Sequence, residues 1–596
     1  MSHTASESAG QIASVSLDQN PLTLPQFLAV TRHFATVTPF AGARRERCEK
    51  VRKYVEEHWF SDSAPPRYGF NTGIGSLKNV RVSNADIETF QKRYVKSHSV
   101  GVGAPLDIEI VRGAILLQAN ALSKGHSGVR PLLVDKLIEM LNKKLHPVVP
   151  EQGSLGASGD LAPLTHIASV LVGEEEAEVW IDGSRRKLRD LKTQGGMLEF
   201  AVDGERMRFE PLELQGKEAI SLTNATSVML SIGLHLLVDS ETALKNADIG
   251  GALSLEAMMC ETDAFAEELH DLRGHKGQRD TAANLRALIQ GSARMTPEAR
   301  MAFFEDRTET ELRRLFPDAR EADQRKVIAD YKREVEFEKN RVQDSYSLRC
   351  APQVHGACKD AHNYVKSVLE REMSSITDNP VIFEDENGHF HSRSGGNFHG
   401  EPLAMAFDFL SIALAEIASI AERRMFRLLS PRMSFGLPNN LTGGRIGLNS
   451  GFMMVQYTAA QLVSENKVLS HPASVDSIPT SDNQEDHVSM GLTAARKART
   501  ILRNVQQILA MEVLCAVQGI HLSSRAARTS LDAFPLGQGT DLAFRCVTTH
   551  QTEEGEIPFS MIGDDRYLHT LIREMENLST NGEVVKQVEL GLELRV

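Results

Sequence analysis

Apolar residues recur at three- and four-residue steps along several long stretches of the chain. In 401–429, Leu403, Ala406, Phe407, Leu410, Ala413, Leu414 and Ile417 keep this spacing and mark one buried face of a helix. Residues 218–259, 451–469 and 486–522 are also long and poor in proline. Four helices well above the usual length of about 11–12 residues predict a bundle. Their broad apolar faces predict further helices packing from other subunits, so oligomerisation is expected. Residues 24–217 read differently, with short helical segments between glycine-rich loops such as 68–75 and 151–160. Around 178–210, apolar and polar residues alternate about two Asp-Gly pairs, which predicts small surface hairpins.

This pattern divides the chain into a loosely ordered polar leader (1–23), a mixed N-terminal domain (24–217), a central long-helix bundle (218–524) and a C-terminal segment (525–596). A charged stretch at about 291–340 interrupts the bundle and reads as exposed helices with i,i+4 ion pairs.

Among 596 residues, 41% are apolar, enough for a large core. The net charge of −13 and the absence of a compact basic run argue against a nucleic-acid partner. The N-terminus has no apolar signal core, and the most apolar long stretch, 402–421, carries Asp408 and Glu416, so neither secretion nor a membrane span is expected. Six cysteines without a C-x-x-C pair fit a reduced, cytoplasmic setting. His389 and His391 share a hairpin at 386–391 but lack a third ligand at metal spacing, so no metal site is expected.

The candidate chemistry starts at 153–163, where glycines stand at 153, 156 and 159 around Ala157-Ser158-Gly159. A plain tight loop capping a helix is one reading. A nucleophilic serine in a G-x-S-x-G elbow is excluded, because Gly156 and Asp160 flank Ser158 at the defining positions. A third reading makes the tripeptide a reactant. The Gly159 amide nitrogen attacks the Ala157 carbonyl carbon, and dehydration, including loss of the Ser158 hydroxyl, leaves an exocyclic methylene on a five-membered ring. That group is a strong electrophile.

In these surroundings the Ala-Ser-Gly motif resembles the aromatic amino-acid ammonia-lyase family, over about 24–524 apart from the charged insertion, and is most similar to its histidine lyases. The resemblance implies a mainly α fold, a long-helix bundle of the ammonia-lyase/fumarase-like type with a mixed N-terminal part carrying the active-site loops. It also implies a methylidene-imidazolone prosthetic group formed from Ala157, Ser158 and Gly159, no dissociable cofactor, and a homotetramer whose active sites draw on several subunits. Further motifs stand in the family's order. Tyr68, in Tyr-Gly-Phe-Asn-Thr-Gly-Ile-Gly, takes the role of the base for the substrate β-proton; a loop-holding tyrosine is the plainer alternative. In 341–350, the resemblance gives Arg349 to the substrate carboxylate, Tyr346 to proton transfer and Gln343 to the pocket lining. Ser345 and Ala351 depart from the proline and glutamine often found there. Asn224 matches an amide near the electrophile, although Ala225 replaces the usual glycine, and Phe398 matches a pocket aromatic.

Two positions bear on the substrate. Ser97-His98 is the histidine-lyase form of a site that reads His-Leu or Phe-Leu in tyrosine and phenylalanine lyases. At Gln484-Glu485-Asp486, Glu485 adds a carboxylate that suits an imidazole N–H, whereas a phenyl ring would desolvate it without return. The expected reaction is therefore non-oxidative deamination of L-histidine to trans-urocanate and ammonia. A tyrosine or phenylalanine lyase, a 2,3-aminomutase, and a non-catalytic helical assembly protein remain the alternatives.

Overall fold

A computed structural model describes residues 8–18, 21–306, 320–339, 342–524, 531–552 and 554–596. The chain forms two compact units, each assembled from separate segments. The first comprises Met1–Leu237, Val365–Asp408 and Pro472–Lys497; the second comprises Val238–Tyr364, Phe409–His471 and Ala498–Val596. This replaces the contiguous division expected from the sequence. Four of the five changes of unit fall inside long helices, where no turn or composition shift marks them; the fifth, between His471 and Pro472, follows the end of Met453–Leu469.

The long periodic stretches form the helices Ser227–Ala257, Glu401–Leu428, Met453–Leu469 and Gly491–Ser524, joined by Ala351–Met373. The apolar face expected from Leu403 to Ile417 is buried along its whole length. The opposite side of Glu401–Leu428 is also apolar in places, and Met405, Phe409 and Ile412 are each about half exposed there. Three helices are long and apolar enough to cross a membrane by length and composition, and 67% to 89% of their apolar windows is buried inside the protein.

In the first unit, the two Asp-Gly pairs make the expected hairpins. Glu178–Ile181 pairs with Ser184–Lys187, and Leu198–Val202 with Glu205–Phe209. Asp182-Gly183 and Asp203-Gly204 both have positive φ, the conformation a two-residue hairpin turn demands. The described part of the leader is not loose. Ser14–Val15 pairs in parallel with Thr36–Val37, and Ala9, Val15, Leu17 and Leu22 are buried. These scattered apolar residues anchor an otherwise polar stretch; residues 1–7 lie outside the described ones.

In the second unit, the charged insertion is helical at Pro297–Asp306 and Glu321–Lys339, with residues 307–319 outside the description. Arg325–Glu321 is an i,i+4 pair and Arg333–Asp330 an i,i+3 pair, both exposed. The insertion is not wholly solvated, because Ala299 and Phe303 are buried and Phe303 stacks with Phe435. The C-terminal segment is integrated too: Lys245 pairs with Glu589, and Asn246 donates to the Ser579 carbonyl.

Candidate active site

Ala157 and Ser158 occupy the tip of a tight turn whose flanks, Gly156 and Gly159, pair with each other. The Ser154 hydroxyl donates to the Gly159 carbonyl (2.9 Å) and accepts from the Gly156 N–H (3.1 Å). Gly159 also lies against Ala225, and the Asp160 N–H donates to the Ala225 carbonyl at 2.8 Å. Gly159 has φ +70°, and a Cβ there would stand 2.1 Å from the Ala225 oxygen. Only glycine fits, for steric as well as conformational reasons. Asp160 anchors the turn, because its Oδ2 accepts from the N–H groups of Val228 and Met229 in the first turn of Ser227–Ala257. Burial nevertheless pushes the Asp160 carboxyl up to about 7. A sharply folded backbone with glycine in the attacking position is what a ring closed from Ala157 to Gly159 needs, so these residues fit the prosthetic group.

The turn lines a cavity of about 420 Å³, together with Tyr68, Asn224, Phe398, Gln484 and Glu485. Tyr68 is positioned from below by an aromatic core. Phe70 packs edge-on against Trp59, with Val51, Val55, Ile382 and Phe390 around them. Asn71 locks the loop by accepting from the Arg67 N–H and donating to the carbonyls of Trp59 and Pro65. The Tyr68 hydroxyl accepts from the Gly75 N–H at 3.2 Å. Burial raises the Tyr68 pKa; the Gly75 bond pulls it down and the Glu485 charge pushes it further up.

Asn224 ends the helix Glu218–Thr223, and its amide donates to the Asn379 carbonyl at 3.4 Å. Asn379 is held in turn, since its side-chain oxygen accepts from the Gly395 N–H and the Ser394 hydroxyl. Glu485 Oε2 accepts from the Thr480 hydroxyl at 2.8 Å, and Gln484 bonds Lys78.

His98 is not part of the cavity lining. It ends the helix Ile87–His98, partly buried, close enough to Glu485 for that charge to act on it; burial is the larger influence and lowers its pKa. Gln343, Tyr346 and Arg349 belong to the second unit and do not line this cavity. Tyr346 is 72% exposed and carries the Arg349 guanidinium over its ring at 4.6 Å. Among the described residues no carboxylate pairs with Arg349. The lining also includes Asn379, His399 and His487. The two histidines adjoin Phe398 and Asp486 in motifs already singled out. Asn379 has no local signal, because the hairpin Val381–Glu384/Phe390–Arg393 brings it in from a distance.

A family model described as aromatic amino acid lyase matches residues 22–544. The chain belongs to the aromatic amino acid lyase family, and its mainly α architecture is the ammonia-lyase fold. It is 41% identical to a histidine ammonia-lyase of Alkaliphilus oremlandii, across 98% of this chain and 99% of that one. Among solved structures it is similar to the tyrosine aminomutase of Streptomyces globisporus, with TM-score 0.80 and 33% identity over 98% of this chain and 100% of the other. It is also similar to the histidine ammonia-lyase of Trypanosoma cruzi, with TM-score 0.77 and 32% identity over 97% and 96% of the two chains.

Proposed function

We propose that the protein is a histidine ammonia-lyase, which removes ammonia from L-histidine to give trans-urocanate. The observation that carries this reading is the Glu485 carboxylate in the same cavity as the Ala157-Ser158 turn and Tyr68. A carboxylate there accepts a hydrogen bond from an imidazole N–H, and it would be desolvated without compensation beside a phenyl ring. The similarity to curated histidine ammonia-lyases over nearly the whole chain supports the same substrate.

The methylidene-imidazolone formed from Ala157, Ser158 and Gly159 supplies the electrophile that activates the substrate. Tyr68 removes the β-proton, and the Gly75 N–H steadies the negative charge its oxygen carries once deprotonated. The Asn224 amide binds near the electrophile. Phe398 and Gln484 shape the cavity, and His98 assists Glu485 at the side-chain end. Arg349 grips the α-carboxylate, with Tyr346 in the proton network and Gln343 in the lining. We assign these three to the share of each site built by assembly into a homotetramer. The exposure of Tyr346 and of Phe409, Ile412, Met454 and Tyr457 supports such an assembly. The burial of the long apolar helices and six unbridged cysteines support a protein that works in the cytoplasm, away from membrane, and the net charge of −13 supports a protein without a nucleic-acid partner.

The test is ammonia release and near-UV absorbance with L-histidine, L-tyrosine and L-phenylalanine, beside Ser158→Ala and intact mass. Urocanate and ammonia from histidine, with a mass short of water in the wild type only, is the expected result. Activity confined to tyrosine or phenylalanine sinks the substrate assignment. The similarity to a tyrosine aminomutase favours one second reading, which a β-amino acid product in place of free ammonia would establish.

A further inference from the structure

The geometry points to Tyr94 as a positioning residue for substrate choice: its buried ring stacks on His98 and fixes the place of an imidazole whose Nε2 accepts a hydrogen bond, so the site prefers side chains that donate one. This rests on the proposed lyase reading of the cavity.

Tyr94 and His98 stand four residues apart on the helix Ile87–His98 and so share a face. Their rings stack at 4.0 Å between centroids, 29° from parallel. His98 Nδ1 lies 2.9 Å from the Tyr94 carbonyl oxygen, one turn back along the helix. A carbonyl can only accept, so the hydrogen is on Nδ1. Ser97 agrees with this assignment. Its hydroxyl donates to the same carbonyl at 3.1 Å, leaving its oxygen to accept from Nδ1 at 2.9 Å. Burial favours the neutral ring, and a neutral ring with hydrogen on Nδ1 carries its lone pair on Nε2.

Tyr94 is itself fixed. It is 4% exposed, and its hydroxyl lies 2.9 Å from Thr223 Oγ1. The Thr223 hydroxyl donates to the Ala219 carbonyl at 3.0 Å, so in this pair Tyr94 is the donor. One buried ring therefore ties the helix end that carries His98 to the residue beside Asn224. His98 stands behind the lining, close enough to Glu485 for that charge to act on it, and so adds a second acceptor beside the one that Glu485 presents to the cavity. An imidazole N–H or a phenol O–H can meet them, whereas a phenyl ring has no hydrogen-bond donor.

The experiment measures kcat and KM for histidine and phenylalanine in full-length Tyr94→Leu, Tyr94→Phe, His98→Leu and the Tyr94→Leu/His98→Leu double variant. In Tyr94→Leu we expect the KM for histidine to rise roughly tenfold with kcat nearly unchanged, and the histidine-to-phenylalanine ratio of kcat/KM to fall by a similar factor. Tyr94→Phe keeps the stack, so its ratio should fall by only about threefold. In the His98→Leu background the leucine substitution should have no further effect on the ratio. An unchanged ratio in both Tyr94 single variants, or effects that add independently of His98, overturns the inference. Should Tyr94→Leu fail to fold, Tyr94→Phe with and without His98→Leu gives the same decision. Wild-type activity on tyrosine in place of histidine would overturn the histidine reading alone; the tyrosine-to-phenylalanine ratio then decides the role of Tyr94. Silence on every substrate overturns both.

Discussion

The Tyr68 hydroxyl accepts from the Gly75 N–H, while the Glu485 carboxylate lines the same cavity and raises the Tyr68 pKa. The residue proposed to recognise the substrate ring thus opposes deprotonation of the proposed base. Glu485→Gln removes that charge but keeps a hydrogen-bonding side chain of the same size. The rising limb of the pH profile, which reports the ionised base, should move to lower pH. The kcat/KM for histidine should meanwhile fall by roughly 10–100-fold as a charged acceptor is lost. A profile measured at saturating and at low substrate checks both effects; an unmoved limb would remove Tyr68 from the role of base.

Gly159→Ala tests the turn from the steric side. The added Cβ would meet the Ala225 oxygen at 2.1 Å and its carbonyl carbon at 2.4 Å, at a φ of +70° that alanine disfavours. The variant should show no loss of water by intact mass, and at least a thousandfold loss of ammonia release. Normal dehydration in this variant would mean that the turn tolerates a shift that the close Ala225 contact argues against.

Much of this was legible in the chain because it is written locally. The Asp-Gly pairs at 182–183 and 203–204 specify hairpins through the positive φ of both residues, and the spacing from Leu403 to Ile417 specifies one helix face. The glycines around Ser158 announced a special backbone for the same reason. What stayed hidden depends on contacts distant in sequence. Asn379 reaches the cavity with the hairpin that follows it, and the leader is held by pairing with Thr36–Val37. Tyr94 carries no local signal, because the bond of its hydroxyl to Thr223 joins positions far apart in the chain. His98, expected near the substrate side chain, does not line the cavity itself.

The buried pair of Lys217 and Asp378 supports Asn379 and Asn224. Lys217 Nζ meets both Asp378 oxygens at 2.8–2.9 Å and the Ser221 hydroxyl at 2.8 Å. Asp378 Oδ1 also accepts from the N–H of Asn379, which accepts from Asn224. Lys217→Met leaves a buried carboxylate without its cation, a change that costs about 3–5 kcal/mol. The thermal midpoint should drop markedly, and Lys217→Met/Asp378→Leu should lose less than Lys217→Met alone. A double variant as unstable as the sum of the two singles would show that the pair is not coupled.

Asp160 gives the fold a pH dependence with a definite sign. Burial raises its carboxyl from the ordinary 3.8 to about 7, against the pull of the Met229 and Val228 N–H groups. Between those values the folded protein keeps a proton that the unfolded chain has released. Stability contributed by this group must therefore decline as pH rises through the window from about 4 to about 7. Glu372, also raised by burial, adds to the same slope. Asp160→Asn removes one titrating group but retains an oxygen for the helix N–H groups. Thermal midpoints recorded across the window should fall less steeply for the variant than for the wild type, with the gain largest at the alkaline end. Parallel curves would mean that Asp160 is ionised in the folded protein throughout, with the two helix N–H groups outweighing its burial.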